Sequence, residues 1–517
     1  MIRGIGAQLG WSLRVDARSS HSHLLRLLFV VLLLGSVFIA WVTSLTVGAP
    51  GLALFRSICY LNIALILMGG ISYFSTTVTE EKEADSLSLL KLAGMGPLSI
   101  LLGKFASRLI SALMLLPVQF PFTLLAITLG GCTIQQVLAA YIGMAAFLCL
   151  VATIALVASI RCTTSGTAAA VTGILVLAMF LVPFLARTVL SAAGVTAGAA
   201  TDGFAGVLEY LIQFTTESSI IERLAIINQT GFDASPFSFQ VMVHLVASVL
   251  LFGFAWLIFE PSTANGNVVE RDVTSFNRKS ALRALGIPRT WSDPFLWKDF
   301  HFVTGGKMLF IGRCIVFGLI SAAIVAGHIG GRNFVDDAGR VVIWTMLGII
   351  GFQSSIYAAR IFFDEIRWNA LGSLTLTSST TGQIGRGKVL GCVLGLIPAA
   401  IFVLVGAALS PSVAWEILTE PLNWFVLLQF VTFLHFTVLL SLYFRWGALP
   451  LALVVTLVLN NCCPVLSFGF LISSTVKDAS GIISLFAMVI GFSVYWLVVL
   501  FPIECEIASR LRTVAGK

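Results

Sequence analysis

The sequence predicts an all-α integral membrane protein: about twelve transmembrane helices in two parallel six-helix repeats, with N- and C-termini cytoplasmic. Three observations carry this. Charged residues are 11% of the chain and hydrophobic residues 58%, with a mean hydropathy of +0.99. A soluble domain carries about 25% charge, so lipid must be the solvent for most of this surface. Second, the apolar residues fall into long runs, and about 20 such residues cross a bilayer as a helix. Third, the charges are distributed unequally between the loops on the two sides.

The runs are 24–47, 54–78, 105–130, 136–160, 167–190 and 237–259, then 308–330, 340–363, 389–410, 421–445, 448–472 and 480–503. The first is too long for the apolar core of a secretory signal and reads as a retained anchor. With the N-terminus inside, the outer segments hold only Arg56, Arg187, Arg223, Arg332, Arg340 and Lys477. The other 25 of the 31 Lys and Arg are inside. That asymmetry is the positive-inside signature. It also explains the net charge of +7 as anchoring charge at the inner leaflet rather than a nucleic-acid footprint. The membrane is expected to be the inner or plasma membrane.

The polar segment 260–290 separates a first six-span half, 1–259, from a second, 291–517. An even span number per half makes the halves parallel rather than inverted. After the second span of each half comes a related segment, TEEKEADSLSLLKLAGMGPLSILLGK (79–104) and FDEIRWNALGSLTLTSSTTGQIGRGK (363–388). They align without gaps. Glu80 meets Asp364, Glu81 meets Glu365, Leu87 meets Leu371, Leu90 meets Leu374, and Gly103-Lys104 meets Gly387-Lys388.

The first copy reads as a short helix capped by Thr79. Glu80, Glu81, Glu83 and Asp85 lie near its start, where the helix dipole favours negative charge. Leu87, Leu89, Leu90 and Leu92 supply an apolar side, Gly94, Gly96 and Pro97 end it, and Pro97 opens the next helix. Lys104 and Arg108 read as interfacial anchors. Such a helix either tidies a loop or docks a soluble partner and passes its motion to two spans. Its recurrence in both halves favours the second.

These residues resemble the type-2 permeases of ATP-binding-cassette (ABC) transporters, whose run is close to E-x-E-x-G-T-L-x-L-L, then Pro, then G-K. Glu81, Glu83, Leu87, Leu89, Leu90, Pro97, Gly103 and Lys104 match, while Asp85 and Ser86 replace Gly and Thr. The second copy departs further, with Arg367 for the second Glu and Thr381 for the Pro. WSDPFLWKDF (291–300) resembles the family's amphipathic elbow helix before a first span, on Trp291, Pro294, Trp297, Lys298 and Asp299. Trp11 to Asp16 is a weaker version. The resemblance implies two fused permease units that bind no nucleotide and need no cofactor. Two copies of a separate ABC ATPase, or an unequal pair, would dock under residues 80–90 and 364–374. Export is the commoner direction in the family. The bilayer is the other expected partner, with room for further membrane or periplasmic subunits.

GQIGRGKV (382–389) matches the spacing of a phosphate-binding loop. It lacks the Ser or Thr that holds magnesium and leads straight into a membrane span, so it is set aside. No His, Asp or Glu cluster has catalytic spacing. The spans place no acid near the bilayer centre, which argues against the main alternative, an ion-coupled secondary carrier. A membrane scaffold without transport is the other alternative. Asn62, Gln119, Gln353, Asn460, Asn461, His244 and His435 suit bonding between helices or a polar path. Pro117, Pro121, Pro183 and Pro398 are expected to bend their helices. Outside, segment 191–236 is long enough for short surface helices.

Overall fold

The computed structural model describes residues 51–192 except Asp85, then 204–263, 291–328, 334–362, 365–366, 380–444, 448–462 and 492–515, with single positions between 6 and 37. Among the described residues there are helices and no strand. Nine helical runs are long and apolar enough to cross a membrane, or ten if one bent pair is a single span. The chain is a multi-pass helical membrane protein. Of the twelve expected spans, the first (24–47) is described only at single positions, and the end of the eleventh (463–472) and the start of the twelfth (480–491) lie outside the described residues, as does linker 264–290.

In the first half, α1 (Gly51–Ser72) continues through a 3-10 turn at Phe74–Thr76 into α2 (Thr79–Glu83), and α3 (Ser86–Leu92) follows. The third span is α4 (Pro97–Leu113), α5 (Leu115–Val118) and α6 (Phe120–Thr128), interrupted where Pro117 and Pro121 remove backbone donors. Then come α7 (Ile134–Arg161), α8 (Ser165–Ala192), the short outer helices α9 (Phe204–Glu217) and α10 (Ile220–Ile227), and α11 (Phe239–Thr263). Helix α7 is the axis of this half. Thr133 and Gln136 form a capping box at its start, and Ala139, Ala140, Gly143, Ala152, Ala155 and Ala158 are buried along it. Small side chains let α1, α8 and α11 approach closely, which is how helices associate in lipid. By contrast, Val249 (72%), Leu250 and Leu257 of α11 are exposed, as lipid-facing residues should be.

The second half contains α12 (Pro294–Phe302), α13 (Gly306–His328), α14 (Phe334–Arg360), α15 (Thr381–Leu394), α16 (Ile397–Leu409), α17 (Pro411–Thr419), α18 (Pro421–Ser441), α19 (Ala448–Cys462) and α20 (Phe501–Ala515). Helices α15 and α16 meet at a 52° bend just before Pro398. The corresponding run in the first half, Pro97–Thr128, counts as one span. The halves meet where α8 packs on α13 and α1 on α19, around Ile71, Ile356, Phe433, Leu449 and Ala452.

Two expectations are corrected. Residues 79–92 do not form one capped helix. Helix α2 continues the long run from Gly51 and ends at Glu83, with Ala84 beyond it, and α3 begins at Ser86. Nor is Thr79 a cap. It lies inside α2 and its hydroxyl donates to the Ser75 carbonyl. The N–H groups of Val78 and Thr79 instead donate to Ser159 Oγ of α7, at 2.8 and 3.0 Å. A neighbouring helix supplies the acceptor, so no local cap is needed.

Candidate functional site

The segments that carry α2, α3, α12 and α15 are rich in Lys and Arg, and the described site residues fall on them in two groups, one in each half. In the first half the acids of α2 are taken up by the chain itself. Glu80 accepts from Arg108 at 2.7 Å, and the same Arg108 donates to the Tyr73 carbonyl and Thr76 hydroxyl. Glu81 pairs with Lys104 of α4 and accepts from Ser86. Glu83 accepts from the Ser165 N–H at 2.6 Å, at the positive start of α8. Lys82 does the reverse, donating to the carbonyls of Ser159, Ile160 and Cys162 at the negative end of α7. Helix α2 is therefore tied to α4 by ion pairs and to the facing ends of α7 and α8, whose dipoles match its charges.

Helix α3 divides its leucines. Leu87 is buried and Leu90 packs against the first-half core. Leu89 and Leu92 are 65% and 83% exposed. The exposed side of α3 is thus Leu89 and Leu92, while the expected Leu87 and Leu90 face inward. Lys91 anchors its far end, donating to the Thr263 carbonyl and hydroxyl at 2.7 and 2.8 Å. Burial there lowers the ammonium's pKa, against the opposing charge of Glu260.

In the second half the expected elbow residues form α12. Asp293 caps it, accepting from the N–H groups of Phe295 and Leu296, and Pro294 is its first residue. Helix α12 lies along a glycine row of α15. A Cβ at Gly387 would sit 2.8 Å from the Asp293 carboxylate, and one at Gly391 would sit 2.8 Å from the Leu296 carbonyl. At Gly395 it would meet Thr304 at 2.6 Å. This close approach puts Asp299 against Lys388, at 2.9 and 3.1 Å to its two oxygens. Lys388 also donates to Glu365 at 2.8 Å, and Lys298 reaches Glu365 at 2.6 Å. Asp299, Glu365 and Lys388 are only 1%, 4% and 1% exposed. Two acids and two lysines make the cluster neutral, which is how buried charge is tolerated. Burial raises the Asp299 carboxyl above its ordinary value, with Lys388 offsetting only part of this. For Glu365 burial also acts upward, but Lys388 and Lys298 outweigh it and hold the carboxyl below the ordinary glutamate range.

The Glu81–Lys104 and Glu365–Lys388 pairs each span 23 residues. They join the residues that the two aligned segments place opposite one another. Reading the sequence for acids alone left Lys104 as an interfacial anchor and Lys388 without a role, although the gap-free alignment of both Glu and Lys was the signal that they act together. Asp85, Asp364, Leu371 and Leu374 lie outside the described residues. Trp297 stacks near His301, with ring centroids 4.9 Å apart, and Trp291 stacks on Phe300 at 5.6 Å. Gly382 to Lys388, which has phosphate-loop spacing, is helical throughout.

No protein-family model matches this chain, and the search of curated proteins returns no match. What the arrangement can do follows from its geometry alone. Its charges tie the short segments α2 and α12 to helices of the bundle.

Proposed function

We propose that this chain is the membrane permease of an ATP-driven transporter, built from two parallel six-span units and moved by a separate ATPase at its basic end. The observation that carries the reading is the recurrent ion pair. Glu81–Lys104 and Glu365–Lys388 tie the segment after the second span to the start of the third in each half, at matching positions of the two aligned segments. A duplicated transport unit whose halves are driven alike needs such a link twice. The elbow segment, helical and packed on α15, adds to the likeness with type-2 ABC permeases. The positive-inside distribution puts this end in the cytosol, where ATP is available.

On this reading α3 takes the ATPase through Leu89 and Leu92, and the acids of α2 pass the force inward rather than touching the partner. A photo-crosslinking residue at position 92 tests it. It should capture an ATP-binding polypeptide in native membranes, whereas one at buried Leu87 should not. Capture of no nucleotide-binding protein at position 92 would count decisively against the proposal.

A further inference from the structure

Beside the elbow helix, the bend between α15 and α16 opens a cavity of about 350 Å³. Its walls come from three places. Trp291 and Phe300 belong to the elbow segment, Phe310 and Ile311 to the first turns of α13, and Leu394 and Ile397 flank the bend. The lining is apolar apart from Lys307, which is exposed at the rim. Gly305 and Gly306, with φ of +88° and +65°, make the turn between the elbow helix and α13. The rings are ordered among themselves. Trp291 stacks on Phe300, and Phe300 meets Phe310 edge-on at 6.4 Å.

We infer that this cavity holds the acyl chain of an anionic phospholipid whose headgroup meets Lys307. The surroundings select a lipid over a soluble ligand. Leu309 and Ile311, on the same membrane-crossing helix, are 53% and 50% exposed, so the mouth opens among residues that face the bilayer. A soluble ligand would need polar groups inside to orient it. The one charge stands at the inner interface, where acidic headgroups lie. Trp291 and Phe300 belong to the segment that leads into the membrane-crossing helix α13, where interfacial aromatic residues are common. The first half has no equivalent bend, because its third span continues from Pro97 to Thr128. The site therefore belongs to the second half, and a lipid there wedges the elbow helix, α13 and the α15–α16 bend apart at a fixed spacing. None of this depends on the ATPase partner.

The test uses the full chain in detergent, exchanged extensively and then titrated under native mass spectrometry. The probes are phosphatidylglycerol, phosphatidylcholine with the same chains, and soluble glycerol phosphate. Phosphatidylglycerol should bind about fivefold more tightly than phosphatidylcholine, the equivalent of about 1 kcal/mol for one lysine at an anionic surface. Lys307→Ala should abolish that preference while leaving chain-dependent binding. Ile311→Trp, a change at a half-exposed position, should fill the mouth and weaken both lipids. Leu394→Phe fills the cavity from the other side and gives an independent reading. Equal binding of the two lipids, binding unchanged in Ile311→Trp and Leu394→Phe, or binding of glycerol phosphate without a chain would each overturn the inference.

Discussion

Removing the Lys388 ammonium should be the most damaging single change at the basic end. Lys388→Met keeps much of the side chain's bulk and deletes only the charge. It leaves Asp299 and Glu365, 1% and 4% exposed, facing one another with only Lys298 nearby. Breaking a buried ion pair by deleting one partner costs about 3–5 kcal/mol, because the remaining charge has lost its compensation. Against a total stability of about 5–15 kcal/mol that is a large share. Lys104→Met should cost less, since the Glu81–Lys104 pair is 16–21% exposed. Lys298→Met should cost least, within the roughly 0–1 kcal/mol of exposed pairs, because that lysine is 42% exposed. Replacing Lys388, Asp299 and Glu365 together by apolar residues should restore most of the loss, as a well-packed apolar cluster often equals a buried ion pair. The assay is thermal unfolding in detergent followed by tryptophan fluorescence. The reasoning fails if Lys388→Met unfolds no earlier than Lys298→Met, or if the triple replacement is worse than the single one.

Other outcomes follow from the same geometry. Gly391→Ala should destabilise by about 1–3 kcal/mol through overpacking against the Leu296 carbonyl. Gly382→Ala and Gly385→Ala on the same helix, with open space around them, should be neutral or gain up to about 1 kcal/mol of helix propensity. A double-mutant cycle on Asn62→Ala and Gln119→Ala should report a coupling of about 0.6 kcal/mol and no more than about 1.7. Acid should weaken the Glu365 cluster. Its folded pKa lies below the ordinary 4.5, so its contribution is complete at neutral pH and is lost as pH falls through the folded value. Unfolding midpoints of Glu365→Gln should accordingly vary less over the acid range than those of the wild type. Asp299, shifted the other way, opposes this and sets a limit on the slope.

Much of the fold was legible because lipid leaves few choices. A run of about 20 apolar residues has little to do but cross, and the expected spans at 136–160, 167–190 and 237–259 lie within α7, within α8 and, but for two residues at the start, within α11. Asn62 and Gln119 were expected to bond between helices, and they exchange two hydrogen bonds at 2.6 and 2.7 Å. Pro398 was expected to bend its span, and the 52° bend is there. The site was less legible. Charge periodicity placed Glu80, Glu81 and Glu83 on a helix but could not show that α4 and the start of α8 already hold their carboxylates. Those partners are 28, 23 and 82 residues away in sequence. Helix phase misled for α3 as well. Four leucines in six residues cover most of the circumference of so short a helix, and only packing against α11 and the first-half core decides that Leu87 faces in and Leu92 out. The glycine row at 387, 391 and 395 was visible, yet what it receives became plain only with the elbow helix lying on it.

The measurement closest to the central claim is ATP hydrolysis in a complex purified through this chain. The account predicts nucleotide hydrolysis that co-purifies with the wild type and disappears in Leu89→Asp/Leu92→Asp, whose unfolding midpoint stays that of the wild type. A fully folded Leu89→Asp/Leu92→Asp chain that retains the same hydrolysis, or a wild-type chain that brings none, would contradict it.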